Sequence, residues 1–256
     1  MNGLEGNAFI VAGGATGIGA ATARRLAEEG ANVVIGDINI ARARQTASVL
    51  SGVGGEVFAV EFDLASDASV DRLVAHSIER FGTVAGLYNV GADLSAKNLG
   101  QDLDILAVDL AVWERTLDVN LLGYVRTIRA ILPHFLETGR GAIVNTSSGA
   151  AFAGEDARAA YAASKAGVNA LTRHVARTWG KQGVRCNAVT PGMVMGETQT
   201  AQNDDTLQNT LLAMTSLGRL GEPADLANTV AFLLSAESSW ISGQVWNIDG
   251  GMTFRD

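Results

Sequence analysis

The sequence predicts an α/β protein: a single domain spanning 1–256, built on a doubly wound parallel sheet of about seven strands flanked by helices. Three observations predict it. Short apolar runs recur along the chain without polar alternation, as strands buried on both faces require. Helical patterns separate those runs at the spacing of βαβ units. The first run also opens directly into a glycine-rich turn, Gly13-Gly14-Ala15-Thr16-Gly17-Ile18-Gly19.

Composition bounds the function. With 256 residues, 47% hydrophobic and 18% charged, the chain carries ample apolar surface for a large core. A net charge of -8 argues against a general affinity for nucleic acid or anionic membranes. The single Cys186 lies in the apolar run 184–189 and reads as a buried structural thiol rather than a nucleophile. Residues 1–6 hold no basic region, and the apolar run after them is too short for a signal peptide. No stretch approaches the ~18 apolar residues of a membrane span, so a soluble, cytoplasmic protein is expected.

Taken in order, Ala8 to Ala12 is the first strand, and the glycine turn leads into a helix over Ala20 to Glu29. Such a turn lets backbone N–H groups approach a phosphate at the positive end of a helix, although glycine also marks ordinary tight turns. The second strand, Asn32 to Gly36, ends at Asp37. An acid there accepts from both ribose hydroxyls of NAD and repels a 2′-phosphate, or else caps the helix beginning near Asn39. The glycines favour the ribose role.

The alternation continues through a strand at 56–61, a helix at 66–81 and a strand at 84–89. Asp63 either touches the adenine or caps a helix, and Gly91 permits close approach of a ribose. Residues 93–109 carry Asp93, Asp102, Asp104 and Asp109 and read as a solvated surface loop. One long helix is expected over 110–137, with Leu117, Leu121 and Leu122 as its apolar stripe and Asn120 beside it. A strand at 142–146 precedes Ser148, a helix runs over 159–179, and the sixth strand, 184–190, stops at Pro191-Gly192. Residues 193–217 form either a substrate lid or a plain packing helix. Glu222-Pro223-Ala224-Asp225 opens the last helix, and the strand 244–248 closes the sheet before Asp249-Gly250-Gly251.

The chemistry gathers at the fifth strand and the helix after it. Tyr161 and Lys165 are four residues apart and so share one helix face. A nearby ammonium favours a phenolate, which makes Tyr161 a candidate acid or base. Ser148, at the carboxyl end of a strand, is placed to hold a carbonyl or alcohol oxygen. Spacing alone favours the plainer reading, a half-buried aromatic beside a solvated lysine, and the rest of the chain reverses that preference.

With these motifs in order, the sequence resembles the short-chain dehydrogenase/reductase family over nearly its whole length. The carrying features are Gly13, Gly17-Ile18-Gly19, Asp63-Leu64, Asn120, Ser148, Tyr161-x-x-x-Lys165, Pro191-Gly192 and Asp249-Gly250-Gly251. The resemblance implies a Rossmann-type fold and an NAD-dependent oxidoreductase acting on an alcohol or ketone. It implies Tyr161 as acid/base, Ser148 orienting the oxygen, and Lys165 lowering the tyrosine pKa and binding the nicotinamide ribose. Asn120 would kink its helix and hold a relay water. Gly13, Thr16, Gly17, Ile18 and Gly19 would follow the pyrophosphate, and Asp37, Asp63, Leu64, Asn89, Gly91, Pro191, Gly192 and Val194 would also face the cofactor.

This chain departs from the family pattern at Ala12, at Tyr88 and Val90 of Tyr88-Asn89-Val90-Gly91, and at Gly196, for which Thr198 is a nearby substitute. The departures bear on cofactor affinity and remove no catalytic group. Family members are commonly homotetramers or dimers, and the same is implied here. The alternatives are a 3-oxoacyl-thioester reductase using NADPH and a non-catalytic dinucleotide-sensing scaffold. Asp37 and the charge of -8 weigh against the first, and the complete Ser148, Tyr161 and Lys165 set weighs against the second.

Overall fold

The computed structural model describes residues 1–195 and 205–254, with the backbone alone for 205–208. Among the described residues, seven strands form one sheet: β1 Ala8–Ala12, β2 Asn32–Asp37, β3 Val57–Glu61, β4 Val84–Asn89, β5 Gly141–Thr146, β6 Val184–Pro191 and β7 Val245–Ile248. Their order is β3-β2-β1-β4-β5-β6-β7, and every pairing is parallel. Side chains alternate across a strand, so Phe9 and Val11 of β1 enter one core cluster while Ile10 and Ala12 enter the other. Both faces are therefore dry, which explains the uninterrupted apolar runs.

The first cluster lies under α1 (Gly17–Glu28), α2 (Ile40–Leu50) and α8 (Pro223–Leu234), represented by Leu26, Leu50 and Val230. The second lies under α3 (Asp67–Phe81), α5 (Gly123–Thr138) and α6 (Ala159–Trp179), represented by Leu73, Ile128 and Val168. Helix starts follow their caps. Asn39 accepts from Arg42 N, Ser66 from Ser69 N, and Glu222 forms a reciprocal capping box with Asp225. Strand order reverses between β1 and β4, and a crevice opens there at the carboxyl ends of the strands.

Two expectations need correction. The helical stretch over 110–137 is present but is not one regular α-helix: α4 (Leu110–Leu117) and α5 are joined by a π turn over Asp118–Leu122, which contains Asn120. That extra residue per turn rotates the leucine stripe. Leu121 packs on the core, whereas Leu122 is 45% exposed. Nor is the acidic segment 93–109 wholly solvated, since Asp102 is 2% exposed. Finally, of the segment 193–217, the structure describes 193–195 and 205–217, where α7 (Asp205–Ala213) lies. Gly196 and Thr198 fall outside the described residues.

Candidate active site

At the strand-order switch lies a cleft of about 700 Å³. Gly13, Thr16, Gly17, Ile18 and Gly19 line one end with Asp37, Asp63, Leu64 and Gly91; Ser148, Tyr161, Lys165, Pro191, Gly192 and Val194 line the other. The structure thus gathers nearly all the residues singled out in the sequence. Two candidates lie elsewhere. Asn89 is fully buried within the sheet layer, donating to Asn145 Oδ1 at 2.9 Å and accepting from Thr127 Oγ1 at 2.8 Å. Its side chain ties β4 to β5 and α5 and does not reach the cleft. Asn120 sits behind the wall, in the π turn, with Oδ1 accepting from Asp93 N at 2.9 Å. Its Nδ2 is buried without a partner among the described residues.

Lys165 is the unusual group. It is 1% exposed, donates from Nζ to the Thr146 carbonyl at 2.8 Å, and makes no ion pair among the described residues. Its Nζ lies 5.2 Å from the Tyr124 ring centre and 5.7 Å from that of Tyr161. Two aromatic faces favour the ammonium, but burial disfavours it more and lowers the Lys165 pKa to about 7. Tyr161 also departs from expectation. Burial raises its pKa, the facing Ser148 hydroxyl and the Arg158 charge pull it down, and Glu155 pushes it up. Burial is the largest of these influences, so the Tyr161 pKa is raised on balance. The ammonium is aimed at a carbonyl and is itself only partly retained at neutral pH.

The remaining side chains bear on the capping roles weighed above. Asp37 does not cap α2, because Asn39 does. Instead its two oxygens accept from Ala15 N at 3.0 Å and Asn39 N at 2.9 Å, which fixes the carboxylate at the cleft wall. Asp63 likewise bonds to Ala65 N while Ser66 caps α3. Tyr88, one of the departures, is fully buried and accepts from Thr146 Oγ1 at 3.0 Å. Thr146 therefore anchors Lys165 through its carbonyl and is itself held by Tyr88. Nothing in the sequence marks that carbonyl. Cys186 is buried, and its thiol is pushed up to about 12, as an inert structural residue should be.

The glycine turn meets two demands. Gly13 has φ +101, and a Cβ there would sit less than 3.0 Å from the Gly91 backbone. Gly13 is thus required by the backbone of Gly91, whereas a Cβ at Gly91 would crowd Leu64 Cδ1 at 3.0 Å. Gly17 has φ +52 with open space around it at the start of α1. Open N–H groups at a helix start, an acid fixed at one end and a buried amine at the other fit a dinucleotide. Gly13→Ala is expected to cost about 2–4 kcal/mol from φ strain plus overlap. A melting temperature within about 2 °C of the parent would contradict this packing.

Comparison with known proteins agrees with this geometry. A family model described as "Enoyl-(Acyl carrier protein) reductase" matches residues 13–253. A probable short-chain type dehydrogenase/reductase of Bradyrhizobium diazoefficiens is 39% identical, covering 98% of this chain and 89% of its own. The 7alpha-hydroxysteroid dehydrogenase of Bacteroides fragilis is 33% identical over 100% and 98% of the two chains. A 3-oxoacyl-[acyl-carrier-protein] reductase of Staphylococcus epidermidis is 34% identical over 95% and 97%. Among solved structures, a 7 alpha-hydroxysteroid dehydrogenase complexed with NADH and 7-oxo glycochenodeoxycholic acid superposes with TM-score 0.90 at 29% identity. That match covers 97% of this chain and 94% of the other.

The chain belongs to the short-chain dehydrogenase/reductase family. It is an oxidoreductase acting on CH–OH groups, with a nicotinamide dinucleotide as cofactor.

Proposed function

We propose that this protein is an NAD(H)-dependent enzyme interconverting a secondary alcohol and its ketone, with Tyr161 as the acid/base. One observation carries the reading: Tyr161, Ser148 and Lys165 open together onto one cleft, and among the described residues Lys165 is buried without a carboxylate to balance it. An unbalanced buried amine opposes folding, so its presence at a cleft points to function.

The dinucleotide, when bound, accepts or supplies the hydride. The glycine turn with Thr16 and Ile18 holds its pyrophosphate, Asp37 its adenine ribose, and Lys165 its nicotinamide ribose. Asp63, Leu64 and Gly91 line its adenine side, and Pro191, Gly192 and Val194 the nicotinamide side. Ser148 holds the substrate oxygen by hydrogen bond. Tyr161 gives its phenolic proton to that oxygen in reduction and takes one from it in oxidation. At neutral pH the raised pKa keeps the phenol protonated before the cofactor binds, the state reduction requires. Asn120 serves the proton relay to Lys165, its unpartnered Nδ2 being a buried donor that a water would satisfy.

NAD is preferred over NADP because Asp37 is held at the wall by Ala15 N and Asn39 N and would meet a 2′-phosphate with like charge. Initial rates with each cofactor test this on a panel of cyclohexanol, 2-octanol, 7-oxo glycochenodeoxycholic acid and acetoacetyl-CoA. The expected preference for NAD(H) is about tenfold or more, and a preference for NADP(H) would overturn the assignment. A second reading, a 3-oxoacyl-thioester reductase using NADPH, draws on the matching family model and on the staphylococcal relative. Acetoacetyl-CoA with NADPH outrunning every other pair would select it. NADH fluorescence enhancement without turnover on any panel member would select a dinucleotide sensor.

We also place residues 1–256 in one domain, with 193–217 as the substrate lid. Trp240 and Phe254, at 98% and 85% exposure, support assembly as a homotetramer or dimer. Light scattering reads that state directly. The lone buried thiol and acidic composition support a cytoplasmic setting. Among the described residues no helix is long and apolar enough to cross a membrane.

A further inference from the structure

Helix α6, which carries Tyr161 and Lys165, begins without a cap of its own. Arg158, at its N-cap position, provides no side-chain hydrogen bond and is the one non-glycine described residue with positive φ, at 67°. An arginine in the left-handed region is strained and must be held there. The holder is Asp102, distant in sequence. Its backbone carbonyl accepts from Arg158 N at 2.7 Å. Its carboxylate accepts from Ala160 N at 3.2 Å and from Tyr161 N at 2.8 Å. A buried carboxylate thus replaces the missing cap and binds the backbone of the proposed acid/base itself.

The same segment is tied down at its other end. Asp93 N donates to Asn120 Oδ1 at 2.9 Å, and the Asp93 carboxylate pairs with Arg115 at 3.0 Å. In the middle, the buried Asn98 amide donates to Thr116 Oγ1 at 2.9 Å. Asp93 and Leu94 also line the cleft. One connection therefore touches Asn120 on the π turn, Tyr161 on α6, and the space between them.

We propose that residues 93–102 form a brace setting Tyr161 relative to Asn120, with Asp102 as the positioning residue for the tyrosine. This rests on the role given to Tyr161 above. Asp102 touches neither substrate nor cofactor and acts through the start of α6. Releasing it lets Arg158 relax and the first turn shift, carrying the phenol away from the Ser148 hydroxyl.

The test compares Asp102→Ala with His134→Ala and the parent, using whichever panel compound turns over. His134 accepts from Val84 N at 3.0 Å at the opposite end of β4, so its loss destabilises the fold away from the cleft. Asp102→Ala is expected to lower kcat roughly 10- to 100-fold, the scale of a small misplacement, with NADH affinity within about twofold. His134→Ala, at a comparable drop in melting temperature, keeps parental kcat. Should Asp102→Ala fail to fold, the isosteric Asp102→Asn carries the same comparison with an expected loss of roughly 3- to 10-fold. Hydrogen exchange provides an arm free of substrate: the Ala160 and Tyr161 amides exchange faster in the Asp102 variant with NADH bound. Parental kcat in a folded Asp102 variant, equal kcat loss in His134→Ala, or unchanged exchange would each overturn the brace. Full activity in Tyr161→Phe would instead overturn the underlying role of the tyrosine.

Discussion

Replacing Tyr161 by Phe is expected to lower turnover by roughly 10²- to 10⁴-fold, the usual weight of general acid–base help, while leaving the fold and NADH binding nearly unchanged. The substitution removes one oxygen from a half-buried ring. The ring still packs beside Lys165 at 5.7 Å, and the backbone N–H still reaches Asp102. What disappears is the hydroxyl facing Ser148, the proposed proton donor to a ketone oxygen in the cleft. Ser148→Ala is expected to follow in the same direction. Steady-state kinetics beside NADH fluorescence titration separates the two effects. Turnover close to parental in Tyr161→Phe would defeat the assignment.

Lys165→Met is expected to abolish turnover to a similar degree and, at pH 7, to raise the melting temperature. The sign follows from the shift. The Lys165 pKa is about 7 in the folded chain against an ordinary 10.5. The unfolded chain therefore binds a proton throughout that interval while the folded chain does not. Stability linked to this group is complete above the unfolded pKa and is lost as pH falls from about 10.5 to about 7, at a weight on the order of 5 kcal/mol. Methionine carries no charge to desolvate and fills a similar volume. Against this, the Thr146 carbonyl loses its donor, a cost of about 1–3 kcal/mol. The balance favours the variant by several degrees at pH 7, with the advantage fading toward pH 10. Calorimetry at both pH values checks it, and a variant less stable than the parent at pH 7 would show that the buried amine is well solvated by its surroundings.

The elements were legible in the sequence because parallel strands buried on both faces write themselves as apolar runs, and because caps such as Asn39, Ser66 and Glu222 stand where helices begin. The cleft was legible because its chemistry sits at carboxyl ends of strands and in the turn leading to α1. What escaped depends on distant partners. Asp102 reads as one more acid in a polar run, and only the fold brings it under the N–H groups of α6. Asn89 reads as a cofactor contact, but the side chains that take it up, Asn145 and Thr127, come from β5 and α5. The π turn at Asp118–Leu122 leaves no gap in the hydrophobic period, and only the family resemblance pointed to a kink at Asn120. The direction of the Tyr161 shift was missed because spacing reveals a neighbouring amine but neither the burial that raises the phenol's pKa nor the carbonyl at which the amine is aimed.

The most direct test is a crystal structure of the protein with NADH. The account predicts the Tyr161 hydroxyl and the Ser148 hydroxyl facing the nicotinamide ring together, with the Lys165 amine turned to the nicotinamide ribose. A well-ordered dinucleotide with the Tyr161 hydroxyl directed away from the ring, or with the Lys165 amine in open solvent, would contradict it and leave only a nucleotide-binding scaffold.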